Sequence, residues 1–458
     1  MTHLKTTQTI NAMTRIDDLS LSGAQCDNAR RWLQAGVTAL AGSGLFAILL
    51  VASRTPGIQE FFPWLDFFRT ALVVHVDLSV LVWFLAFAGV LQALIHPGRA
   101  GVSRLAVWLA WAGLLAVCVT PFTGDAGPIL NNYVPVLQHP LFHSGLALIA
   151  GGVLMNSFAT LRTVSPNEPV EMAVITGSIG VIFAMGSFAW TLSQLDSGLP
   201  AEAYYEFLFW GGGHAVQFAW VQFMLAAWLL SAGETDVRMP VRGALLSVLV
   251  LAGAAPLLAV PLIHAMSPVD SAESRIAFIR LMQFGGGIGP IPIGLLLLYA
   301  LARSATAKAP QKPVRYALWA SLVLFGAGGL IAIAIRGVTT TIPAHYHGSI
   351  VGVTLAFMGL AYALLPRFGY DIGMRRTAQW QPVVYGAGQL LHISGLALSG
   401  MLGIQRKTAG SAQALDEVSK VMTMAVMGLG GLLAIVGGAM FVIVMLAAFI
   451  KGKNRVSG

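Results

Sequence analysis

The side chains of this 458-residue sequence that could do chemistry are its ten histidines. Imidazole is costly in hydrocarbon unless it is hydrogen-bonded or bound to a metal, yet most of these histidines fall in or beside apolar runs. The most informative stretch is Thr341-Ile-Pro-Ala-His345-Tyr-His347-Gly348. Residues two apart on an α-helix point about 200° apart around its axis, so His345 and His347 face nearly opposite sides. They cannot share one ion, but each can be an axial ligand of a different haem iron on its own side of the helix.

The composition indicates which elements must position these side chains. Charged residues make up 10% of the sequence, whereas an average soluble domain has about 25%, and the mean hydropathy is +0.75. So little charge excludes a water-facing enzyme, a coiled coil and a disordered chain. Apolar runs of about 20 residues, the length of one membrane span, recur throughout. They predict an all-α polytopic membrane protein of about twelve transmembrane helices, with spans near 33–53, 68–95, 104–121, 137–160, 170–195, 208–231, 241–265, 277–302, 314–336, 343–366, 381–403 and 421–450.

The basic residues orient these helices. Of the 27 Lys and Arg residues, 19 fall in one set of loops and at the two ends of the chain, and 8 fall in the opposite loops. Basic residues favour the cytoplasmic side, which predicts a bacterial inner (plasma) membrane protein with both termini in the cytoplasm. The net charge of +8 then indicates contact with membrane lipid rather than with nucleic acid. We predict a cytoplasmic segment over 1–32, one membrane domain over 33–450 and a cytoplasmic tail over 451–458.

This topology places most of the histidines at one depth. Even-numbered spans begin, and odd-numbered spans end, at the outer face. Interfacial snorkelling would explain such positions, but a shared depth favours a layer of cofactors parallel to the membrane. His3 and His96 fall in polar flanks and are expected to be solvated, and the deeper His392 is expected to be hydrogen-bonded within the bundle. The layer contains His75, His139, His143, His214, His264, His345 and His347.

Three stretches together resemble the catalytic subunit I of the haem-copper oxidase superfamily, which includes cytochrome c oxidases and nitric oxide reductases. They are His75-Val-Asp-Leu-Ser-Val-Leu-Val-Trp83, Trp210-Gly-Gly-Gly-His214-Ala-Val-Gln217 and Ala344-His-Tyr-His347, and the resemblance covers essentially the whole chain. It implies two haems, expected to be b-type. His75 and His347 would be the axial ligands of a low-spin haem, and His345 the proximal ligand of a catalytic high-spin haem.

The resemblance also implies roles for four further residues. His214 and His264 would hold a catalytic second metal opposite the high-spin haem, which is copper in oxidases and iron in nitric oxide reductases. Arg406 and Lys407 match the basic pair that holds the haem propionates, and two cations beside two carboxylates are electrostatically favourable.

The second-metal site departs from the family pattern. The family has two adjacent histidines at the end of the seventh span, whereas this sequence reads Ile263-His264-Ala265. Because catalytic metals usually have three protein ligands, a third ligand is expected from Met266, Gln217, Glu206 or a histidine of the fourth span. A thioether would favour copper(I) and a carboxylate would favour iron. An absent or loosely held second metal stays open as an alternative. For His139 and His143 themselves, the family favours packed or hydrogen-bonded roles.

Residues that the reduction of dioxygen requires are missing. Oxidases of this superfamily carry a tyrosine cross-linked to a metal-ligand histidine, located four residues after it in the sixth span or, in the C-type enzymes, in the seventh. Here Phe218 stands four residues after His214, and 241–265 contains no tyrosine. The eighth span has no acid or lysine for a cytoplasmic proton path, and Asp77 lies near the outer face. These absences favour the reduction of nitric oxide, with protons taken up from the outside.

The electron source lies outside this chain. Cys26 and Cys118 form neither a haem-attachment motif nor a dinuclear copper site. A periplasmic cytochrome c or cupredoxin, or a partner subunit, is therefore the expected donor, and the substrate is a small gas. Three alternatives stay open: a cytochrome c oxidase with unusual proton paths, a non-catalytic haem electron carrier or sensor, and a transporter, which would place polar residues near mid-membrane.

Overall fold

The computed structural model describes residues 14–52, 67–96, 100–124, 126–406 and 415–452, most of which are helical. The described residues form two compact units. The N-terminal unit comprises those within Leu19–Ala226 and Gly243–Pro290, and the C-terminal unit those within Met1–Asp18, Ala227–Arg242 and Ile291–Gly458.

The N-terminal unit contains the first ten helices, apart from the last turns of α7. A short hairpin between α4 and α5 pairs β1 (Pro128–Ile129) antiparallel with β2 (Val136–Leu137). The helices are α1 (Gly23–Ala52), α2 (Phe67–Val76), α3 (Trp83–Ile95), α4 (Ala100–Val119), α5 (Pro140–Thr163), α6 (Pro169–Gln194), α7 (Ala201–Glu234), α8 (Gly243–Ala254), α9 (Ala259–Met266) and α10 (Ala272–Gly285).

The C-terminal unit contains the remaining helices together with the end of α7. At one end of the unit, Arg367 donates to both carboxylate oxygens of Asp17, at 2.8 and 2.7 Å, and to Glu234 at 3.2 Å. The helices are α11 (Pro290–Arg303), α12 (Lys312–Ile333), α13 (Thr341–Arg367), α14 (Arg375–Met401) and α15 (Val418–Lys451).

Three of the predicted spans are interrupted, and one of them, 277–302, is divided between α10 and α11. A π-helical segment, Asp77–Val82, joins α2 to α3, and such segments are rare in helices and frequent at functional sites. A 3₁₀ turn, Ala255–Leu258, joins α8 to α9. It contains Pro256, which has no amide hydrogen to donate to a helical carbonyl. The predicted span 241–265 is therefore not one continuous α-helix.

The all-α prediction is confirmed. With the interrupted helices joined, the described residues contain twelve helices, of which eleven are long and apolar enough to cross a membrane. The twelfth is α14, which corresponds to the predicted span 381–403 but begins with the polar sequence Arg375-Arg-Thr-Ala-Gln379. The first helix begins at Gly23 rather than at 33, because its polar first turns are also helical.

Uncharged polar side chains link the helices of the N-terminal unit. Gln92 on α3 donates to Ser157 on α5 at 2.9 Å and to Ser178 on α6 at 3.0 Å. Gln222 on α7 accepts from Thr176 on α6 at 3.1 Å and donates to the Val250 carbonyl on α8 at 3.2 Å. We call this set of hydrogen bonds the amide network. Its side chains carry no charge, so the network contains no ionisable group.

Glycine allows α12 and α13 to pack closely. A Cβ added to Gly348 on α13 would lie 2.7 Å from the Cα of Gly328 on α12, and one added to Gly328 would lie 2.6 Å from the amide nitrogen of Ser349. No larger residue fits this crossing without moving a helix. The backbone of α12 is thereby brought within reach of side chains in the first turns of α13.

Candidate functional site

His345 and His347 lie near the start of α13 and face different neighbours. Nδ1 of His345 is 2.8 Å from the Gly328 carbonyl oxygen on α12, across the glycine crossing. Nδ1 of His347 is 2.8 Å from the Pro343 carbonyl oxygen one turn earlier, and its ring lies 5.3 Å from that of His392 on α14. The two rings thus contact different helices, in agreement with their two-residue spacing.

These hydrogen bonds define which ring nitrogen carries the proton and which carries the lone pair. A carbonyl oxygen can only accept, so Nδ1 of His345 and of His347 carries the proton, and the lone pair of the neutral ring is on Nε2. Histidines that ligate metals commonly donate their other N–H to a carbonyl in this way. His392 shows the same pattern, with Nδ1 at 2.9 Å from the Met427 carbonyl oxygen.

His75 has the same arrangement in the N-terminal unit. Its Nδ1 lies 2.9 Å from the carbonyl oxygen of Ser43 on α1, and the Ser43 hydroxyl donates to the His75 carbonyl at 3.0 Å. The contact is reciprocal and fixes both the tautomer and the ring plane of His75. His75 lies two residues before the π-helical segment.

His214 on α7 is hydrogen-bonded at both ring nitrogens. Nδ1 donates to the Trp210 carbonyl oxygen at 2.6 Å, and Nε2 lies 2.8 Å from the hydroxyl of Tyr133. Because Nδ1 carries the proton, Nε2 accepts and the phenol donates. Burial among apolar side chains, with a smaller contribution from the Glu206 carboxylate, raises the pKa of Tyr133 far above its usual range, so the phenol keeps its proton.

Tyr133 is the residue that sequence reasoning missed. It lies in the hairpin loop between β1 and β2, 81 residues from His214. The one signal in the sequence is the run Gly211-Gly212-Gly213, in which each glycine makes room for a different side chain. A Cβ on Gly213 would lie 2.5 Å from the Tyr133 ring, one on Gly211 would lie 2.9 Å from Phe278, and one on Gly212 would overlap Phe188.

His264 near the end of α9 completes this part of the site. Its Nε2 lies 2.7 Å from the hydroxyl of Ser187 on α6. Its Nδ1 is buried and has no hydrogen-bond partner among the described residues. Phe278 on α10 packs against both imidazoles, with ring centroids 5.6 Å from that of His214 and 5.4 Å from that of His264. Both imidazoles therefore contact one phenylalanine ring, and we call His214, His264, Phe278 and Tyr133 together the pocket.

None of the side chains suggested as a third ligand joins the two histidines. Met266 is 82% exposed, Gln217 donates to the Gly213 carbonyl at 3.3 Å, and Glu206 accepts from the amide nitrogen of Asn132 at 3.1 Å. Within the described residues, no group of three His, Cys, Asp or Glu side chains is placed to hold a metal ion. The donor set thus does not match a three-ligand site.

The fourth-span histidines have structural partners. His139 precedes α5 and caps it, because its Nδ1 accepts from the Leu141 amide at 3.2 Å. Nε2 of His143 lies 3.2 Å from the hydroxyl of Tyr205 on α7.

The expectation that His96 is solvated is wrong. His96 is 6% exposed, and its Nδ1 is hydrogen-bonded to Thr163 at the end of α5. The end of α3 packs against α5, so the residue that follows the helix is buried with it. Burial lowers the pKa of His96 and favours the neutral ring. His3, the other histidine expected in a flank, lies outside the described residues.

Arg406 is placed next to the start of α13. Two backbone hydrogen bonds join the segment around Arg406 to the residues that precede α13. The Arg406 amide donates to the Val338 carbonyl at 3.2 Å, and the Thr340 amide donates to the Ile404 carbonyl at 3.0 Å. Lys407, the other predicted propionate-binding residue, lies outside the described residues.

Several known proteins are similar to this chain. The family model described as cytochrome c and quinol oxidase polypeptide I matches residues 28–440. An uncharacterized protein of Rickettsia prowazekii (strain Madrid E) is 30% identical, over 93% of this chain and 97% of that protein. An uncharacterized protein of Aquifex aeolicus (strain VF5) is 27% identical, over 74% and 85% respectively.

The fold is also similar to that of a solved structure. The cryo-EM structure of a heme-copper terminal oxidase dimer matches with a TM-score of 0.73 over 96% of this chain and 86% of that chain. The sequences are 18% identical, so this likeness concerns the fold alone.

Proposed function

Because the chain belongs to the cytochrome c and quinol oxidase polypeptide I family, we propose that it is a respiratory membrane reductase that converts nitric oxide to nitrous oxide. Membership makes the protein a multi-pass membrane oxidoreductase of the haem-copper oxidase superfamily. It also implies haems and, in general, a copper or iron centre. The substrate, the type of haem and the role of each residue belong to the proposal.

The residues expected to hold haem suit that group. Nδ1 of His75, His345 and His347 each donates to a backbone carbonyl, so each ring is fixed with its lone pair on Nε2. When bound, haem iron supplies one-electron transfer and a binding position for a diatomic gas. We assign His75 and His347 to a low-spin b-type haem and His345 to a high-spin one. Arg406, with Lys407, would neutralise the propionates.

The residues expected to hold a second metal do not suit it. His214 has both ring nitrogens hydrogen-bonded. Of the two histidines, only His264 has a nitrogen without a hydrogen-bond partner among the described residues. A catalytic metal usually needs three protein ligands. No step of the proposed reaction is therefore assigned to a second metal.

The observation that carries the choice of substrate is the residue at position 218. Phe218 is buried in an apolar cluster four residues after His214, where oxidases of the superfamily that use this position have a tyrosine. Two molecules of nitric oxide, two electrons and two protons give nitrous oxide and water, and this reaction needs no tyrosyl radical. Residues 285–301 contain neither an acid nor a lysine, which agrees with proton uptake from the outer side.

Reduction of dioxygen to water is the second candidate, and one observation favours it. The Tyr133 hydroxyl lies 2.8 Å from Nε2 of His214. A phenol therefore contacts this imidazole, although it comes from a loop rather than from the sixth or seventh span. If Tyr133 replaces the missing tyrosine, the protein is an oxidase.

The two candidates are separated by turnover of the purified holoenzyme with each gas. The protein is reduced through a cytochrome c or a cupredoxin, and the consumption of nitric oxide, the formation of nitrous oxide and the consumption of dioxygen are followed. We expect nitric oxide to be turned over faster. Faster turnover of dioxygen, lost in Tyr133→Phe, would assign the oxidase instead. A haem spectrum without turnover of either gas would identify an electron carrier or sensor.

The proposed setting follows from the same assignment. Electrons are expected from a periplasmic cytochrome c or cupredoxin or from a partner subunit, with the protein in the bacterial inner membrane. The position of both termini is tested by labelling cysteines introduced near each end in intact cells and in inverted vesicles.

A further inference from the structure

Both ring nitrogens of His214 are engaged, which removes the residue as a simple metal ligand. Nδ1 donates to the Trp210 carbonyl at 2.6 Å, and Nε2 accepts from Tyr133 at 2.8 Å. A neutral imidazole has one lone pair. Coordination through Nε2 would therefore require the phenol to leave.

Tyr133 is held firmly in this position. The side-chain oxygen of Asn131 accepts from the amides of Tyr133 and Val134 at 3.0 and 2.9 Å, which closes the loop on itself. The neighbouring Asn132 amide donates to Glu206 on α7, the helix that carries His214. The phenol ring also packs edge-on against Trp210, with centroids 5.5 Å apart. Together with the bond to His214, the loop is thus tied to α7 at three residues: Glu206, Trp210 and His214.

Phe278 fills the space beside the two histidines. It is 1% exposed, and its ring contacts both imidazoles. Gly211 is small enough to admit it, since a Cβ there would lie 2.9 Å from the end of the ring. The side chain that contacts both imidazoles is thus apolar and supplies no donor atom. Of the four nitrogens on His214 and His264, only Nδ1 of His264 lacks a hydrogen-bond partner among the described residues.

We propose that this chain departs from its family by holding no second metal, and that the Tyr133–His214 pair takes its place as the polar group of the pocket. A phenol hydrogen-bonded to an imidazole supplies a proton donor, whereas a metal would supply a Lewis acid. Tyr133 is a positioning residue in this arrangement, because it fixes the ring of His214 through Nε2. The proposal concerns metal content and does not depend on which gas the protein reduces.

The first test is the ratio of metal to haem in the purified holoenzyme, produced in medium that contains both copper and iron. Total iron and copper are measured by mass spectrometry and haem by its pyridine adduct. We expect iron equal to haem iron and copper far below one per chain. One copper, or one additional iron, per chain in the wild-type protein would overturn the proposal.

The second test restores a metal site. Phe278→His supplies a third imidazole between the two histidines, and Tyr133→Phe exposes Nε2 of His214. The double variant is expected to bind about one copper or non-haem iron per chain, visible by mass spectrometry and by electron paramagnetic resonance, while Tyr133→Phe alone stays at the wild-type ratio. A double variant that retains its haems but gains no metal would show that these two rings do not exclude the ion.

The matched control is Tyr205→Phe. Tyr205 contacts His143 at 3.2 Å and lies on the same helix as His214, but neither residue belongs to the pocket. This variant, combined with Phe278→His, should stay at the wild-type metal ratio. A gain of metal equal to that of the Tyr133→Phe double variant would remove the specific role of Tyr133. If the double variants fail to incorporate haem, the wild-type ratio decides the proposal by itself.

Discussion

Substitution of Gly328 by alanine should disturb the ring of His345 without touching it. The added Cβ would lie 2.6 Å from the amide nitrogen of Ser349 and 2.8 Å from its hydroxyl oxygen. Ordinary contact begins near 3.4 Å, so α12 and α13 must separate by roughly 0.8 Å. A shift of that size along the contact lengthens the distance from Nδ1 of His345 to the Gly328 oxygen from 2.8 Å to about 3.6 Å, beyond hydrogen-bond range.

The energetic cost follows from these two effects. Overpacking of a close helix contact costs about 1–3 kcal/mol, and the lost hydrogen bond costs about 1 kcal/mol more. We expect Gly328→Ala to destabilise the protein by about 2–4 kcal/mol in total. The ring of His345 would also lose its fixed tautomer, which should lower the content of high-spin haem.

The assay is denaturant unfolding of the protein in detergent, together with haem quantification and the optical spectrum of the high-spin haem. Gly329→Ala is the control, because its Cβ would meet nothing within 4 Å and alanine is the better helix former by about 0.5–1 kcal/mol. The two variants should therefore change stability in opposite directions. Equal stability and equal haem content in both would refute the link between the glycine crossing and His345.

Three further outcomes are expected. Ser187→Ala removes the hydroxyl that contacts His264 and should lower the free energy of unfolding, measured by thermal denaturation, by about 1–3 kcal/mol. Ser193 is exposed on the same helix, so Ser193→Ala should cost much less. Equal losses in the two variants would contradict a role for the contact with His264. The hydrogen bond from Gln311, aided by the charge of Arg15, lowers the pKa of the Asp236 carboxyl. The ionised carboxylate therefore makes a small contribution to the stability of the folded protein at neutral pH, and this contribution is lost as the pH falls through the folded-state pKa. Unfolding at pH 7 and near pH 3 should show this loss in the wild type and less of it in Gln311→Ala, and an identical pH dependence in both would count against it. Proteoliposomes in which the electron-accepting side of the protein faces outward should not become alkaline inside during turnover, because residues 285–301 contain neither an acid nor a lysine to carry protons from the other side. Internal alkalinisation, read by a trapped pH dye, would show that protons come from the cytoplasmic side.

Much of the fold and part of the candidate site could be predicted from local sequence. Apolar runs of membrane length predicted the helices, since each helix satisfies its own backbone hydrogen bonds in lipid. The two-residue spacing of His345 and His347 predicted different neighbours for the two rings, because helical geometry is local. Neither inference required knowledge of which helices pack together.

What the sequence could not predict depends on contacts between distant segments. Tyr133 reaches His214 across 81 residues, from a loop that has no regular periodicity. The glycine run 211–213 indicated a close approach, but only the packed structure shows which rings enter. His96 was misjudged for the same reason, since its burial comes from α5 rather than from its own polar flank.

The amide network also determines where His75 and His214 lie along the axes of their helices. A slide of one helix by a single residue is about 1.5 Å, enough to break the bonds of Gln92 to Ser157 and Ser178, at 2.9 and 3.0 Å. His75 lies on the same helical stretch as Gln92, about 25 Å away along the axis, and Gln222 fixes α7 against α6 and α8 in the same manner. The axial positions of His75 and His214 are thus set from further along their own helices, by uncharged groups that keep their hydrogen bonds at any physiological pH.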